Sequence, residues 1–210
     1  MLLKIYYIVF FITVVKSIMI LRKNIFFSQN HYFVFLIVNF LIDFFSELNI
    51  INSKAIQYNY LNLFNVFFFI IFYFPYLKNK VLPILILVST LLCVIFTKHY
   101  FYFDKYNLNL AILYCITNIF YSLYWINLKL NNISEVRITN EPLFWISTSI
   151  LVWSCFFLFR IIPMYLLDEE DKQFLKLLKS ILLIINIMVY ILFYVGLTKY
   201  KNSKDEIFTT

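Results

Sequence analysis

Apolar residues arrive along this chain in runs of about twenty, each long enough to cross the ~30 Å hydrocarbon core of a bilayer, with short polar stretches between them. The first run covers about 2–21 and ends at Arg22 and Lys23; the second covers about 31–51 and ends at Asn52, Ser53 and Lys54. The third, about 58–77, stops at Lys78, Asn79 and Lys80. The fourth, about 81–97, has Pro83 in its first turn, where a proline forfeits no intrahelical hydrogen bond. A tyrosine-rich polar link leads to the fifth, about 108–126. The sixth, about 142–167, has the best-marked start: Asn140 is an N-cap type, Glu141 favours the helix dipole and Pro142 sits in the first turn. The acidic turn Asp168, Glu169, Glu170, Asp171 precedes the seventh, about 174–197. The pattern predicts an all-α fold, one polytopic domain over 1–210 built as a bundle of about seven transmembrane helices.

The first run starts like a signal peptide, but no small-residue cleavage site follows it, which reads as an uncleaved helix. Seven crossings put the termini on opposite faces. Lys4, Lys54, Lys98, Lys105, Lys172, Lys176 and Lys179 then share the N-terminal face. Arg22, Lys23, Lys78, Lys80, Lys129, Arg137, Lys199, Lys201 and Lys204 share the other. The excess of cations on the second face predicts an N-out, C-in orientation for a multi-pass protein of a cytoplasmic membrane. The longest connection, 127–140, and the C-terminal tail are the places for any extramembrane feature.

Composition agrees with the pattern. The chain is 63% hydrophobic and 14% charged, and its mean hydropathy is +0.83. The net charge of +7 does not point to nucleic acid, because the cations stand singly or in pairs at the ends of apolar runs. The bias toward Phe, Tyr, Ile, Asn and Lys is that of an AT-rich genome. Gly196 is the single glycine, which excludes phosphate-cradling loops, dinucleotide fingerprints and nucleophile elbows, since each needs glycine where the backbone turns or approaches a ligand. GxxxG pairing is excluded as well, so the helices are expected to pack through Ser, Thr, Asn and interlocking aromatics. Cys93, Cys115 and Cys155 fall in apolar runs without CxxC or Cys/His spacing and read as small hydrophobes. His31 and His99 have no second ligand a helical turn away and read as interface residues. No metal and no cofactor is expected.

Ionisable groups inside a span are costly, which makes them the place to look for function. Asn39, Asp43 and Glu47 recur every four residues, so they share one helical face and must point into the bundle or a wet cavity. Arg160 is the candidate partner: it and Asp43 each lie about eight residues, or roughly 12 Å, before the outer end of their helices. The pair reads either as a ligand- or proton-responsive centre or as a structural ion pair holding two helices in register. Asn59, Asn62 and Asn65 make a polar stripe on the third span, suited to interhelical hydrogen bonds or to one wall of a pocket shared with Asp43. Lys16 can snorkel to the inner surface and is assigned no role.

The segment NEPLFWISTS, Asn140 to Ser149, resembles a signature of a family of small seven-helix membrane proteins of Bacteroidetes, in which a segment like EPLFWISTG opens the sixth helix. The acidic second span ending in SELN, the following YNYLNLFNVFFF and the order of spans fit the same resemblance, which covers nearly the whole chain. Glu141 to Thr148 carries it; Ser149 stands where the pattern has glycine. The resemblance implies the architecture and no activity. In size, hydropathy and composition the chain is also similar to multi-pass accessory proteins of type VI CRISPR effectors, a likeness carried by no motif.

These readings lead to a non-enzymatic sensory or regulatory membrane module acting through a soluble or membrane partner on the cytoplasmic side, with a homo-oligomer as one arrangement. The alternatives are a defence accessory, and a small transporter or oligomeric pore, for which interrupted helices or inverted repeats would be the sign. An intramembrane enzyme ranks last, for want of paired histidines or a glycine-based nucleophile motif.

Overall fold

A computed structural model describes residues 1–21, 28–48, 54–76, 81, 84–85, 88, 106–131, 137–166 and 172–207. Almost all of them are helical. In chain order the α-helices are α1 (Leu2–Met19), α2 (Ser28–Glu47), α3 (Lys54–Tyr73), α4 (Leu108–Asn131), α5 (Pro142–Leu166) and α6 (Lys172–Ile207). Single 3-10 turns follow α3 at Phe74–Tyr76 and precede α5 at Ile138–Asn140. The predicted crossing at 81–97 lies outside the described residues apart from Val81, Ile84, Leu85 and Val88, as does the acidic turn 168–171.

The helix ends follow local chemistry. Asn107 caps α4, its Oδ1 accepting from the Leu110 amide at 3.0 Å. Pro75, which has no amide to donate, sits in the 3-10 turn that tightens the end of α3. Helix α6 runs on to Ile207, well past the expected end near 197, because the polar tail continues the helix beyond the apolar stretch. At about 1.5 Å per residue its 36 residues exceed the thickness of a bilayer core.

Among the described residues five stretches are long and apolar enough to cross a membrane: Leu2–Met19, Lys54–Tyr76, Leu108–Asn131, Pro142–Ile161 and Gln173–Tyr200. Helix α2 is not among them, although a crossing was expected at 31–51, because Asn39, Asp43, Ser46 and Glu47 interrupt its apolar sequence. The outward positions are large and apolar, with Ile8, Phe11, Ile12, Ile71, Phe159 and Ile184 all exposed. A continuous apolar exterior of this kind suits lipid rather than water.

The helices form a closed ring in chain order, each packed on the next, with α6 returning to α1. Cross-helix contacts fix the directions. Phe10 meets Phe40 and Tyr6 meets Asp43, so α1 and α2 are antiparallel. Tyr58 reaches Asp43 while Tyr32 meets Phe72, so α2 and α3 are antiparallel. Asn59 accepts from Asn107 near the start of α3, and Tyr73 stacks on Tyr121 near its end, so α3 and α4 are parallel. Lys129 pairs with Glu141 and Tyr114 meets Trp153, making α4 and α5 antiparallel. Lys199 binds Asn140 and Trp153 binds Asn186, so α5 and α6 are antiparallel too. Tyr6 and Lys16 on α1 meet Tyr190 and Tyr194 on α6, which makes the closing pair parallel.

One half of the ring is filled. Tyr32, Phe69, Tyr73, Tyr121 and Ile146 are each fully buried there, and Tyr73 hydroxyl and Ser147 Oγ share a hydrogen bond of 2.8 Å. Gly196 lies where α6 crosses the start of α5: a Cβ at this position would stand 3.2 Å from Trp145 Cβ and 3.3 Å from the Pro142 carbonyl oxygen. The single glycine therefore marks a close approach of α6 to α5.

Candidate functional site

The other half of the ring is hollow. A cavity of about 470 Å³ opens between the helices, with a lining drawn from all six of them. Its mouth lies at the starts of α1, α3, α4 and α6 and the ends of α2 and α5, where Leu3, Glu47, Tyr58, Tyr106, Arg160 and Lys179 stand. Its floor is apolar and aromatic, with Phe35, Tyr114, Ile150, Val189 and Phe193. Below Phe193, whose ring packs edge-on against Tyr32, the filled half begins.

Asp43 is the most elaborately held polar group on the wall. Tyr6 hydroxyl donates to its Oδ2 at 2.5 Å, and Tyr58 hydroxyl points at its Oδ1 from 3.5 Å. Tyr7 hydroxyl donates to the Asp43 carbonyl at 3.2 Å. Tyr190 completes the surround; its ring stacks on Phe10 and tilts against Tyr6. An acceptor-only carboxylate thus receives hydroxyl donors from two neighbouring helices, α1 and α3.

The Asn39 and Asn65 amides form a reciprocal pair between α2 and α3. Asn39 Nδ2 donates to Asn65 Oδ1 at 3.1 Å, and Asn65 Nδ2 returns a bond to Asn39 Oδ1 at 3.2 Å. Asn39 Nδ2 also binds the Phe35 carbonyl at 2.8 Å. Asn62 Nδ2 reaches Tyr106 hydroxyl at 3.4 Å, at the mouth. Across the cavity Trp153 Nε1 donates to Asn186 Oδ1 at 3.0 Å, joining α5 to α6.

Six of the residues singled out from the sequence therefore line one cavity: Asn39, Asp43, Glu47, Asn62, Asn65 and Arg160. Asn59 does not. It is buried, and its Oδ1 accepts the Asn107 amide at 2.8 Å, holding the start of α4 against α3. The expected pairing of Asp43 with Arg160 is not formed. The two helices that carry them, α2 and α5, are not neighbours in the ring, so the two groups face each other across the cavity and Asp43 takes tyrosines instead. Among the described residues the only ion pair is Lys129 with Glu141, at 2.6 Å on the opposite face.

No protein-family model, curated protein or solved structure matches the chain.

The sequence passes over several lining groups. Tyr6, Tyr7, Tyr190 and Trp153 look like ordinary aromatics in apolar runs, and only the packing of α1 against α2 and α6, and of α5 against α6, turns their polar ends inward. Asn186 does carry a signal, since a lone amide in the apolar run of α6 needs a partner when buried in lipid.

Charge is segregated around the wall. The charged lining residues are Asp43 and Glu47, both on α2, and Arg160 and Lys179, on α5 and α6. Asp43 and Arg160 are partly buried, whereas Glu47 and Lys179 are exposed at the rim. One wall is therefore negative and the facing wall positive, with apolar rings between and below.

The segment Asn140 to Trp145 works at the far face. Glu141 pairs with Lys129 on α4, Asn140 Oδ1 accepts from Lys199 Nζ on α6 at 3.2 Å, and Trp145 Nε1 donates to the Thr139 carbonyl at 2.8 Å. These contacts clasp three helices at the closed end, away from the cavity.

Proposed function

We propose that this chain is a non-enzymatic sensory or regulatory membrane module that admits a small ligand into its ring of helices. The observation that carries the reading is the cavity: a polar-walled hollow inside an apolar bundle, with a mouth at one face and a packed aromatic floor. Its volume falls in the ~300–1,000 Å³ range of small-molecule sites. The filled half beneath it, with Tyr32, Tyr73 and Tyr121 fully buried, favours a receptor over a pore.

The module crosses the membrane seven times, N-out and C-in, in a bacterial cytoplasmic membrane. Support for the seventh crossing is the parallel pairing of α3 and α4, because successive neighbours that run the same way need a return passage between them, and the apolar run 81–97 supplies one. Crossing by α2 despite its polar residues is supported by where those residues point, inward to the cavity rather than to lipid. The cation excess on the far face supports the orientation, which opens the cavity outward and extends α6 into the cytoplasm toward a partner. Membership in the Bacteroidetes seven-helix family is part of this reading, supported by the EPLFWIST segment of 141–148.

The test is cysteine accessibility in intact cells. Asn62→Cys, in a background with Cys93, Cys115 and Cys155 replaced by serine, should react with a membrane-impermeant maleimide added outside. Labelling only after permeabilisation would reverse the orientation, and no labelling in either case would sink the open cavity. Affinity purification from native membranes, with mass spectrometry of what co-purifies, then asks for the effector. A kinase or other soluble regulator supports signalling, an RNA-guided nuclease supports the defence accessory, and a homo-oligomer alone moves the assignment toward a transporter.

A further inference from the structure

Two partly buried charges of opposite sign line the cavity without meeting. Asp43 has tyrosine hydroxyls and no cation within ion-pair distance among the described residues, and Arg160 likewise has no carboxylate there. A charge inside a helical membrane bundle normally has a counter-charge or a water-filled space, and here each faces the same space from a different wall. The rim repeats the asymmetry with Glu47 on the Asp43 side and Lys179 on the Arg160 side. Four charges arranged as two and two across one hollow describe a site with a built-in dipole.

Resting on the reading of this cavity as a ligand site, we propose that its ligand is a small organic zwitterion with an apolar body. The ammonium group sits against Asp43 among the rings of Tyr6, Tyr7 and Tyr58, where a carboxylate gives the charge pairing and aromatic faces attract a desolvated cation. The anionic group meets Arg160, whose planar guanidinium matches a carboxylate or phosphate fork. The apolar body lies on Trp153, Phe157 and Phe193 between the charged walls. A ligand with a single charge would leave one wall unanswered, and a fully apolar one would strip water from both.

The experiment uses the full chain in lipid nanodiscs, with two zwitterionic probes of short and long charge separation, L-phenylalanine and 6-aminohexanoate. Phenylalanine methyl ester supplies the cation alone and N-acetylphenylalanine the anion alone. Binding is followed by tryptophan emission, to which Trp153 contributes, and by the shift in Tm. At least one zwitterion should bind, with the single-charge analogues weaker by roughly tenfold or more. Asp43→Asn and Arg160→Gln should each remove the zwitterion's advantage. Lys179→Glu, at an exposed rim position, should weaken the zwitterion while strengthening the methyl ester. Equal or tighter binding of the ester overturns the proposal in favour of a cation site, and tighter binding of the acetylated anion overturns it in favour of an anion site. Binding by none of the four probes also overturns it. In each of these cases outside labelling of Asn62→Cys still decides separately whether the cavity is an open receptor site.

Discussion

Tyr6 on α1 donates its hydroxyl to Asp43 on α2 at 2.5 Å, and this contact ties the first two helices together at the level of the cavity. Tyr58 approaches the other carboxylate oxygen from α3 at 3.5 Å. The shorter bond does more of the holding. Tyr6→Phe should therefore destabilise the protein in nanodiscs by about 1–2 kcal/mol, and Tyr58→Phe by clearly less. Thermal unfolding of the two variants side by side checks the order; equal losses would mean that the carboxylate is held symmetrically.

The Asn39–Asn65 pair makes a second prediction. Each amide both donates to and accepts from the other, so removing one strips the other of both bonds of the pair, leaving Asn39 only its bond to the Phe35 carbonyl. Asn39→Leu and Asn65→Leu should each cost more than half of what the double substitution costs, with a coupling of about 1 kcal/mol. Additive losses in a double-mutant cycle would show that the two side chains do not act together.

Gly196 is a steric prediction. The atoms a side chain would meet, Trp145 Cβ and the Pro142 carbonyl oxygen, are close to the backbone and cannot swing aside. Alanine gains up to about 1 kcal/mol of helix propensity, which offsets part of the clash. Gly196→Leu gains nearly as much propensity but forces a far larger side chain into the same contact, and should lower stability by about 1–3 kcal/mol. A leucine variant as stable as the parent would show that α5 and α6 can separate there without loss.

At the closed end the Lys129–Glu141 pair is partly exposed, with side chains 35% and 22% accessible. Such a pair contributes less than about 1 kcal/mol and is screened by salt. Glu141→Lys should destabilise the clasp, and Lys129→Glu in the same chain should restore it. Tm measured at low and high salt should converge for the parent and the single variant. A gap unchanged by salt would assign the role of Glu141 to packing.

That apolar runs become long helices was legible because lipid leaves so few options, but their ends were not: α4 and α6 run on to Asn131 and Ile207, past the polar residues that close the apolar runs. The start of α5 at Pro142 was legible from the proline and the acid before it, whereas Asn140 lies in the preceding 3-10 turn and its Oδ1 accepts from Lys199 instead of capping the helix. Which residues share the cavity was only partly legible. Steps of four advance about 40° around a helix, so Asn39, Asp43 and Glu47 stay within about 80° and face one space. Steps of three fall back about 60° each, so Asn59 and Asn65 stand about 120° apart, and Asn59 turns toward α4. Pairing Asp43 with Arg160 rests on their equal distance from the ends of their helices, which a sequence does give. It needs the order of helices around the ring, which a sequence does not, and the tyrosines on α1 that occupy Asp43 were invisible for the same reason.

The ring is closed by its first and last members, α1 against α6. A growing chain delivers helices one at a time, so until α6 arrives the helices leave an open trough, with the Asp43 wall, and once α5 is made the Arg160 wall, turned to lipid or to whatever chaperone covers them. Thr13 waits for the Tyr190 carbonyl that its hydroxyl binds at 3.2 Å, and Phe10 waits for the ring of Tyr190. Helix α6 is thus a keystone, and a ribosome stalled before 172 would present the quality-control machinery with exposed charge in the bilayer rather than with a smaller version of the same protein.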